Sequence, residues 1–532
     1  MRITGALSPE TDEVLTPEAL AFILEISAKF QPRLSALLGE RNVRRERISK
    51  HGIHGNDSIN EEIRNQDWQV APHPPQLLDR RVEITGPAEA KMAINALNSG
   101  AKVWLADLED SSTPHWKNVI NSQIVLKKVS AHTLSFENEN GKEYRLNDLA
   151  ETAQTIVRPR GLHMLERNVQ VGGVPLPAAF FDAGLYLFHN HKQLALQGKA
   201  PFLYLPKLES EIEARLWNDF FVEAQANLGI PYGTIRSTVL IETITAAFKM
   251  EEILFELKDH VSGLNAGRWD YLFSIIKTFR DAGKEFILPD RDQVTMDAPF
   301  MKTYAQAMVH TCHKRGAMAI GGMAAFIPIK SDPELNAIAL ERVKKDKERE
   351  ANQGFDGSWV AHPGLVDVCK NIFDSTLNGK PNQMARKTEL PLRFPNSLIV
   401  LASENGSVTK TGLINNVDVS TRYLMAWLEG NGAVAIHNIM EDAATVEISR
   451  SQIWQQIKNS VKFADTGEIC SKALVSNVID EICRKLISET YPEPQVMQAA
   501  DLLREISLAE AFSEFITTKA SELIDIKKIT LN

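Results

Sequence analysis

Two carboxylates, Glu242 and Asp270, stand 28 positions apart, and each lies at or just past the end of a short apolar run. If those runs are consecutive parallel strands, the two side chains face one another across one mouth. Oxygen donors with open positions between them suit Mg²⁺, which prefers octahedral oxygen coordination and keeps waters or substrate oxygens. Two negative charges balance the ion and leave it able to accept an anionic ligand; the plainer alternative for either residue is a salt bridge on the rim. Between them runs NAGRWD, residues 265–270, where Gly267 either closes a turn or lets successive backbone N–H groups form an anion nest. Farther on, Glu441-Asp442 opens a helical stretch, residues 443–459. Asp442 reads first as an N-cap. Its second reading is a general base delivered into the mouth, kept ionised by helix N-terminal amides.

Such residues need elements to position them. Eight short apolar runs alternate with helical stretches: VEIT (82–85), KVWLA (102–106), TIV (155–157), FLYL (202–205), TVLI (238–241), VSGL (261–264), AMAI (317–320) and WVA (359–361). Strands alternating with helices imply parallel βα units, and eight of them fit a (β/α)₈ TIM barrel better than an open doubly wound sheet. Polar groups follow the strands in turn: Asp107, Glu109 and Asp110; Arg158 and Arg160; Lys207 and Glu209; Glu242; Asn265, Arg268 and Asp270; Gly321, Gly322 and Met323; His362. Barrel enzymes place their chemistry at those C-terminal strand ends.

Thr16-Pro17-Glu18 is a helix start, with a hydroxyl N-cap and proline at N1, and the amphipathic segment reaches about Leu38. A polar, Arg-rich lead-in extends to about Trp68. Asn140-Gly141 between TLSFE and EYRL signals a type I′ hairpin, a small β-insertion after the second barrel strand. Pro- and Gly-bearing text near 378–395 marks a linker, and from about Val417 the chain is helical, with Tyr423, Trp427, Ile448 and Trp454 on apolar faces. The expected organisation is an N-terminal helical clasp (1–75), a barrel with a β-insertion near 125–150 (76–375), a linker (376–410) and a C-terminal helical plug domain (411–532).

Composition narrows the function classes. Apolar residues make up 44% and charged residues 24% of 532, so the chain has a globular core. With 59 basic against 68 acidic residues the net charge is −9, unsuited to wrapping nucleic acid. The basic clusters at 41–47 and 342–349 are broken by acidic or polar residues and read as solvated surface. Four cysteines, none in a C-x-x-C pair, suggest neither disulfides nor a zinc knuckle and favour a reducing compartment. There is no secretory pattern at the N-terminus, no apolar run long enough for a membrane span, and no address signal in ITLN. A cytoplasmic, monomeric protein is expected.

KDHVSGLNAGRWDYLF, residues 258–273, resembles the signature of the malate synthase family over its whole length. RRVEITGP (80–87), ADLEDS (106–111), VRPRGLH (157–163), GGMAAFIP (321–328), WVAHPGL (359–365) and MEDAATVEISR (440–450) are similar to that family too, in its order. The resemblance, to the shorter A-type form, implies an Mg²⁺-dependent condensation of acetyl-CoA with glyoxylate, then thioester hydrolysis to malate and CoA, as in the glyoxylate cycle. It implies Arg158 as the stabiliser of glyoxylate and the developing enolate, and Glu242 and Asp270 as Mg²⁺ ligands. It further implies that Gly267, Arg268, Trp269 and Asp270 bind the glyoxylate carboxylate through backbone amides. Asp442 would be the general base, and Glu109 and Asp110 would stand behind the metal ligands. No motif marks the CoA surface; His313, Lys314, Arg315, Met323 and Pro363 are candidates. The alternatives are a malyl-CoA or citramalyl-CoA lyase on the same barrel, or a non-catalytic protein binding CoA or a metabolite.

Overall fold

The computed structural model describes residues 1–53, 60–329, 331–392, 394–401 and 406–530. Its centre is eight parallel strands: β1 (Val82–Pro87), β2 (Val103–Asp107), β3 (Gln154–Arg158), β4 (Phe202–Leu205), β5 (Arg236–Ile241), β6 (Val261–Ala266), β7 (Met318–Ala324) and β8 (Gly357–Val360). β8 pairs back onto β1, from Ser358 opposite Val82 to Val360 opposite Ile84. The sheet therefore closes as the expected barrel, and the open doubly wound alternative is excluded.

Both faces of each strand are covered, which is why the runs are nearly continuous in apolar residues rather than alternating. In β2 every residue is buried. Val103 and Leu105 point inward with Ile156, Tyr204, Leu240, Met318, Ile320 and Trp359, while Trp104 and Ala106 pack outward on the helices. Below them Glu83 accepts hydrogen bonds from Arg80 Nε (2.6 Å), Tyr204 Oη (2.8 Å) and Trp359 Nε1 (2.7 Å). A buried charge so fully partnered is tolerated in the interior.

The N-terminal helix Pro17–His51 begins where Thr16 Oγ1 accepts from Ala19 N, and it runs well past Leu38. The Arg-rich cluster is part of it and is solvated surface only in part: Arg47 is exposed, Arg44 and Arg45 are half-buried. Arg41 is buried, with Nε and Nη2 on the two oxygens of Glu213 (2.8 and 2.7 Å) and Nη2 also on the Lys207 carbonyl (3.0 Å). Arg45 reaches Glu514 at 2.6 Å. The second basic run lies on the helix Pro333–Gln353, where Arg342, Lys344 and Lys345 are exposed as expected but Lys347 is fully buried and donates to the Gly322 carbonyl at 2.6 Å. Periodicity and charge alone do not show which arginines and lysines meet buried acceptors.

The hairpin pairs Ser135–Glu137 with Glu143–Arg145, but its turn is not type I′. Type I′ needs positive φ at two central residues. Gly141 has it (φ 72°) and Asn140 does not, since Asn138 pairs with Lys142 around a three-residue loop. A second small sheet went unread in the sequence: Leu165–Val171 and Val174–Pro177, with Arg2–Ile3 on its edge. Gly172-Gly173, with φ of 59° and 84°, makes the two-residue turn there.

Five long helices form the C-terminal part: Lys410–Leu428, Ala443–Lys458, Lys472–Ser488, Glu493–Ser507 and Ile516–Thr530. They surround a core of their own containing Tyr423 and Trp427, whereas Ile448 and Trp454 face the barrel core. Of the sequence segments read as lead-in, linker and tail, residues 54–59, 393, 402–405 and 531–532 lie outside the described residues. Among those described, no helix is long and apolar enough to cross a membrane.

Candidate active site

A cavity of about 870 Å³ opens at the C-terminal ends of the barrel strands. Its floor and walls include Asp110, Arg158, Leu240, Glu242, Asn265 to Asp270 and Trp359; its far wall is Ile439, Met440, Glu441 and Asp442 from the C-terminal part. The hairpin Val434–Ile436 and Ile439–Glu441 brings that wall in. Its backbone docks on the segment after β7, through Ile327 N to Asn438 O (2.9 Å) and Met440 N to Ala325 O (2.7 Å). Ala443 N donates to the Asp110 carbonyl at 3.1 Å, and Tyr423 Oη donates to the same oxygen at 3.2 Å.

Asp107 and Arg158 end adjacent strands in register. Arg158 Nε donates to Asp107 Oδ1 (2.6 Å), Nη2 binds Oδ2, and Nη1 reaches Asp110 Oδ2 at 3.3 Å. Burial opposes a charged Asp107, but the guanidinium, helped by Ser111 and the Glu109 amide, outweighs it and holds the carboxyl below the usual range. Arg158 is correspondingly held charged, despite its burial, by Asp107 and Asp110.

Asp110, Glu242 and Asp270 are buried and bring one carboxylate oxygen each to within 4.8 Å of one another. Among the described residues, Asp270 Oδ1 has no hydrogen-bond partner, nor does Glu109 Oε1 beside the group. Burial, and then the neighbouring carboxylates, push Glu242 and Glu109 well above the ordinary range; burial raises Asp270 to about 6. Lys207 Nζ lies among them, 3.1 Å from Glu109, 2.8 Å from Asp110 and 3.1 Å from Asp270. Against the penalty of burial these carboxylates hold it firmly protonated. Three acids on one ammonium, with Glu242 on the Lys207 backbone N–H, form a cage of hard oxygen donors suited to a divalent cation.

Gly267 sits between β6 and the helix Trp269–Phe279. It has no positive φ, so a left-handed backbone is not what requires the glycine. Close approach requires the glycine: a Cβ there would stand 2.6 Å from Glu242 Cβ. The helix begins at the cavity, so its first-turn amides lack intrahelical acceptors where Gly267 to Asp270 line it. Arg268 stacks over Trp269 (3.9 Å to the ring centroid), with Arg291 on the same ring at 5.5 Å. Burial lowers Arg268 to about 10, with Arg291 and Arg349 adding to the effect.

Asp442 occupies the N-cap position of Ala443–Lys458, but its side chain makes no capping bond, and Oδ1 is buried without a partner among the described residues. Burial and Asp110 push the carboxyl well up, Arg158 pulling the other way. Helix amides therefore do not hold it ionised, contrary to expectation, and Arg158 is the neighbour that favours its charged form.

Three family models describe this chain: malate synthase N-terminal domain over residues 1–62, malate synthase TIM barrel domain over 154–396 and malate synthase C-terminal over 407–524. Malate synthase of Streptomyces clavuligerus is 52% identical over 98% of this chain and 97% of its own length. The chain belongs to the malate synthase family. Malate synthase A of Escherichia coli strain K12 is 42% identical over 98% of both chains. A solved Haloferax volcanii malate synthase, in a pyruvate/acetyl-CoA ternary complex, has a TM-score of 0.49 and 16% identity, covering 80% of this chain and 99% of that one.

In this member of the family, Glu242, Asp270, Gly267, Arg268, Trp269, Arg158, Asp110 and Asp442 gather on one cavity, with Glu109 beside it. Asp110, expected behind the metal ligands, stands with Glu242 and Asp270 in the group that could hold a metal ion. Met323 lines the cavity as well, but His313, Lys314 and Arg315 do not. They end the helix Pro299–Lys314 before β7, at the opposite mouth, where Arg315 binds Glu251 and the Trp68 carbonyl and His313 meets Asp356. Pro363 starts a short 3₁₀ turn away from the cavity lining. Missed in the sequence were the Asp107 partner of Arg158, the placement of Lys207, and the rim cations Arg342, Lys345 and Arg349. Strand register could have suggested the first, since Asp107 and Arg158 each directly follow a predicted strand.

Proposed function

We propose that the cavity condenses acetyl-CoA with glyoxylate and hydrolyses the product thioester to malate and CoA. The observation that carries it is the facing of Asp442, brought in by the C-terminal part, toward Arg158 and the carboxylate cage on the barrel. Asp110, Glu242 and Asp270 fit Mg²⁺ by their hard oxygen donors and by the unpartnered Asp270 Oδ1. When bound there, Mg²⁺ would supply Lewis-acid polarisation of the glyoxylate aldehyde. Amides of the Gly267–Asp270 turn receive the glyoxylate carboxylate. Asp442 takes a proton from the acetyl methyl, and the released electron pair moves onto the thioester oxygen. Arg158, which cannot give up its proton to the base, stabilises the charge there. The enolate carbon attacks the aldehyde carbon, and the aldehyde oxygen becomes an alkoxide. That oxygen takes up one proton in place of the one Asp442 removed and releases. Water then adds its hydroxyl to the acyl carbon while CoA leaves as the thiol.

The finer organisation belongs to the same proposal: a clasp (1–75), a barrel (76–375), a linker (376–410) and a plug domain (411–532), in a cytoplasmic monomer. Four buried, unpaired cysteines suit a reducing compartment. A thiol-release assay with acetyl-CoA and glyoxylate is the test. One CoA and one malate should appear per turnover with Mg²⁺ and none in excess EDTA. Full activity in EDTA would overturn the metal site, and cleavage of malyl-CoA to acetyl-CoA without hydrolysis would favour a lyase.

A further inference from the structure

We propose that Lys207 is a resident cation of the metal cage, holding its carboxylates in place without the divalent ion and competing with that ion for their oxygens. The inference rests on the metal reading of Asp110, Glu242 and Asp270. Lys207 Nζ contacts both oxygens of Asp110 (3.0 and 2.8 Å), Glu109 Oε2 (3.1 Å) and Asp270 Oδ2 (3.1 Å). Two of its three carboxylates are thus two of the three candidate ligands. Only 6% of the side chain is exposed, so water does not screen these contacts. An ammonium is a compact point charge with three donors, able to sit inside a ring of carboxylates as a planar guanidinium cannot.

The backbone is built to present it. Lys207 is left-handed, with φ of 52°, a conformation a non-glycine residue keeps only when its surroundings impose it. Its carbonyl is held by Arg41 Nη2 of the N-terminal helix at 3.0 Å, and its N–H donates to Glu242 Oε1, the third candidate ligand, at 2.7 Å. One residue therefore touches all three ligands: two through its ammonium, one through its amide. A bridge serving only to join β4 to its neighbours would need neither the strained backbone nor the contact with Glu242. Lys207 is a positioning residue, and the N-terminal helix acts on the cage through it.

The test measures binding of Mn²⁺ alone to the full chain, by the electron paramagnetic resonance signal of free ion, together with thermal unfolding with and without Mg²⁺. Lys207→Met and Lys207→Gln both remove the competing charge, the second keeping polarity where the first folds poorly. Each should bind Mn²⁺ at least about tenfold more tightly than the unsubstituted chain, and gain more in Tm from Mg²⁺, because an uncompensated cage attracts the ion more strongly. Lys207→Arg, which keeps the charge, should gain less than either. Equal or weaker Mn²⁺ binding by the neutral variants would overturn the proposal and leave the metal reading standing. Absence of Mn²⁺ binding to the unsubstituted chain would instead sink the metal reading, and this inference with it.

Discussion

Asp107 and Arg158 are register partners on β2 and β3, and their side chains meet inside the barrel in a two-pronged ion pair. Parallel pairing puts residues at the same height on the same face, so the last residues of two neighbouring strands fix each other at the cavity floor. Arg158 has further donors, and one of them reaches Asp110. The guanidinium is thereby aimed before any substrate arrives, and such preorganisation gives electrostatic stabilisation its worth.

Asp107→Asn keeps the shape and removes the charge. One amide N–H would then face the guanidinium, and the fork would lose a prong. We expect kcat to fall about 10- to 100-fold, with a smaller change in the KM for acetyl-CoA, since the loss falls on charge that develops only in the transition state. Steady-state thiol release decides it; a variant with unchanged kcat would remove Asp107 from the positioning of Arg158.

Asp442→Asn tests the base. General-base removal is worth about 10²- to 10⁴-fold in rate. Turnover should drop within that range while Mn²⁺ binding stays near that of the unsubstituted chain, because Asp442 lies outside the group of three candidate ligands. Exchange of acetyl-CoA methyl protons with deuterated solvent, followed by NMR, should fall in parallel. Turnover at the original rate would exclude Asp442 as the proton acceptor.

The barrel was legible because strands buried on both faces are written as unbroken apolar runs, and all eight lie where those runs are. The acids and Arg158 were legible because they end or directly follow strands. Lys207 was visible as a residue but its role was not, since that depends on a left-handed backbone held by Arg41 from a helix far away in sequence. Arg41 itself was misread, because a charge run on a helix looks alike whether it meets water or Glu213. The missing cap bond of Asp442 was equally hidden, for an aspartate before a helix carries the same letters whether its carboxylate turns back or points into a cavity.

Gly267→Ala tests close approach. The added Cβ would stand 2.6 Å from Glu242 Cβ and 3.3 Å from its Oε2, so Glu242 must move out of the cage. Displacement of one ligand should weaken Mn²⁺ binding by about 10-fold or more, while φ at this position allows alanine and the fold survives. Isothermal titration with Mn²⁺ reads the effect directly. Undiminished affinity would mean that Glu242 does not hold the metal or yields without cost.

His260 offers a prediction independent of the active site. It is fully buried, its Nδ1 placed to donate to Asn218 Oδ1 (2.8 Å) and its Nε2 to accept from Gln225 Nε2 (3.0 Å), an arrangement that fits the neutral ring. Burial, with Arg236 assisting against Asp259, lowers it from the ordinary 6.5 to about 4. Between those values the unfolded chain binds a proton that the folded chain refuses, so stability increases with pH across the window. The contribution is complete above about pH 6.5 and is lost as pH falls toward 4. At about 1.4 kcal/mol per unit, the fall to pH 5 should cost the unsubstituted chain roughly 2 kcal/mol that His260→Gln does not lose. Denaturant unfolding at pH 7.5 and pH 5 measures the two differences. Equal acid losses in both proteins would show that His260 does not carry this sensitivity.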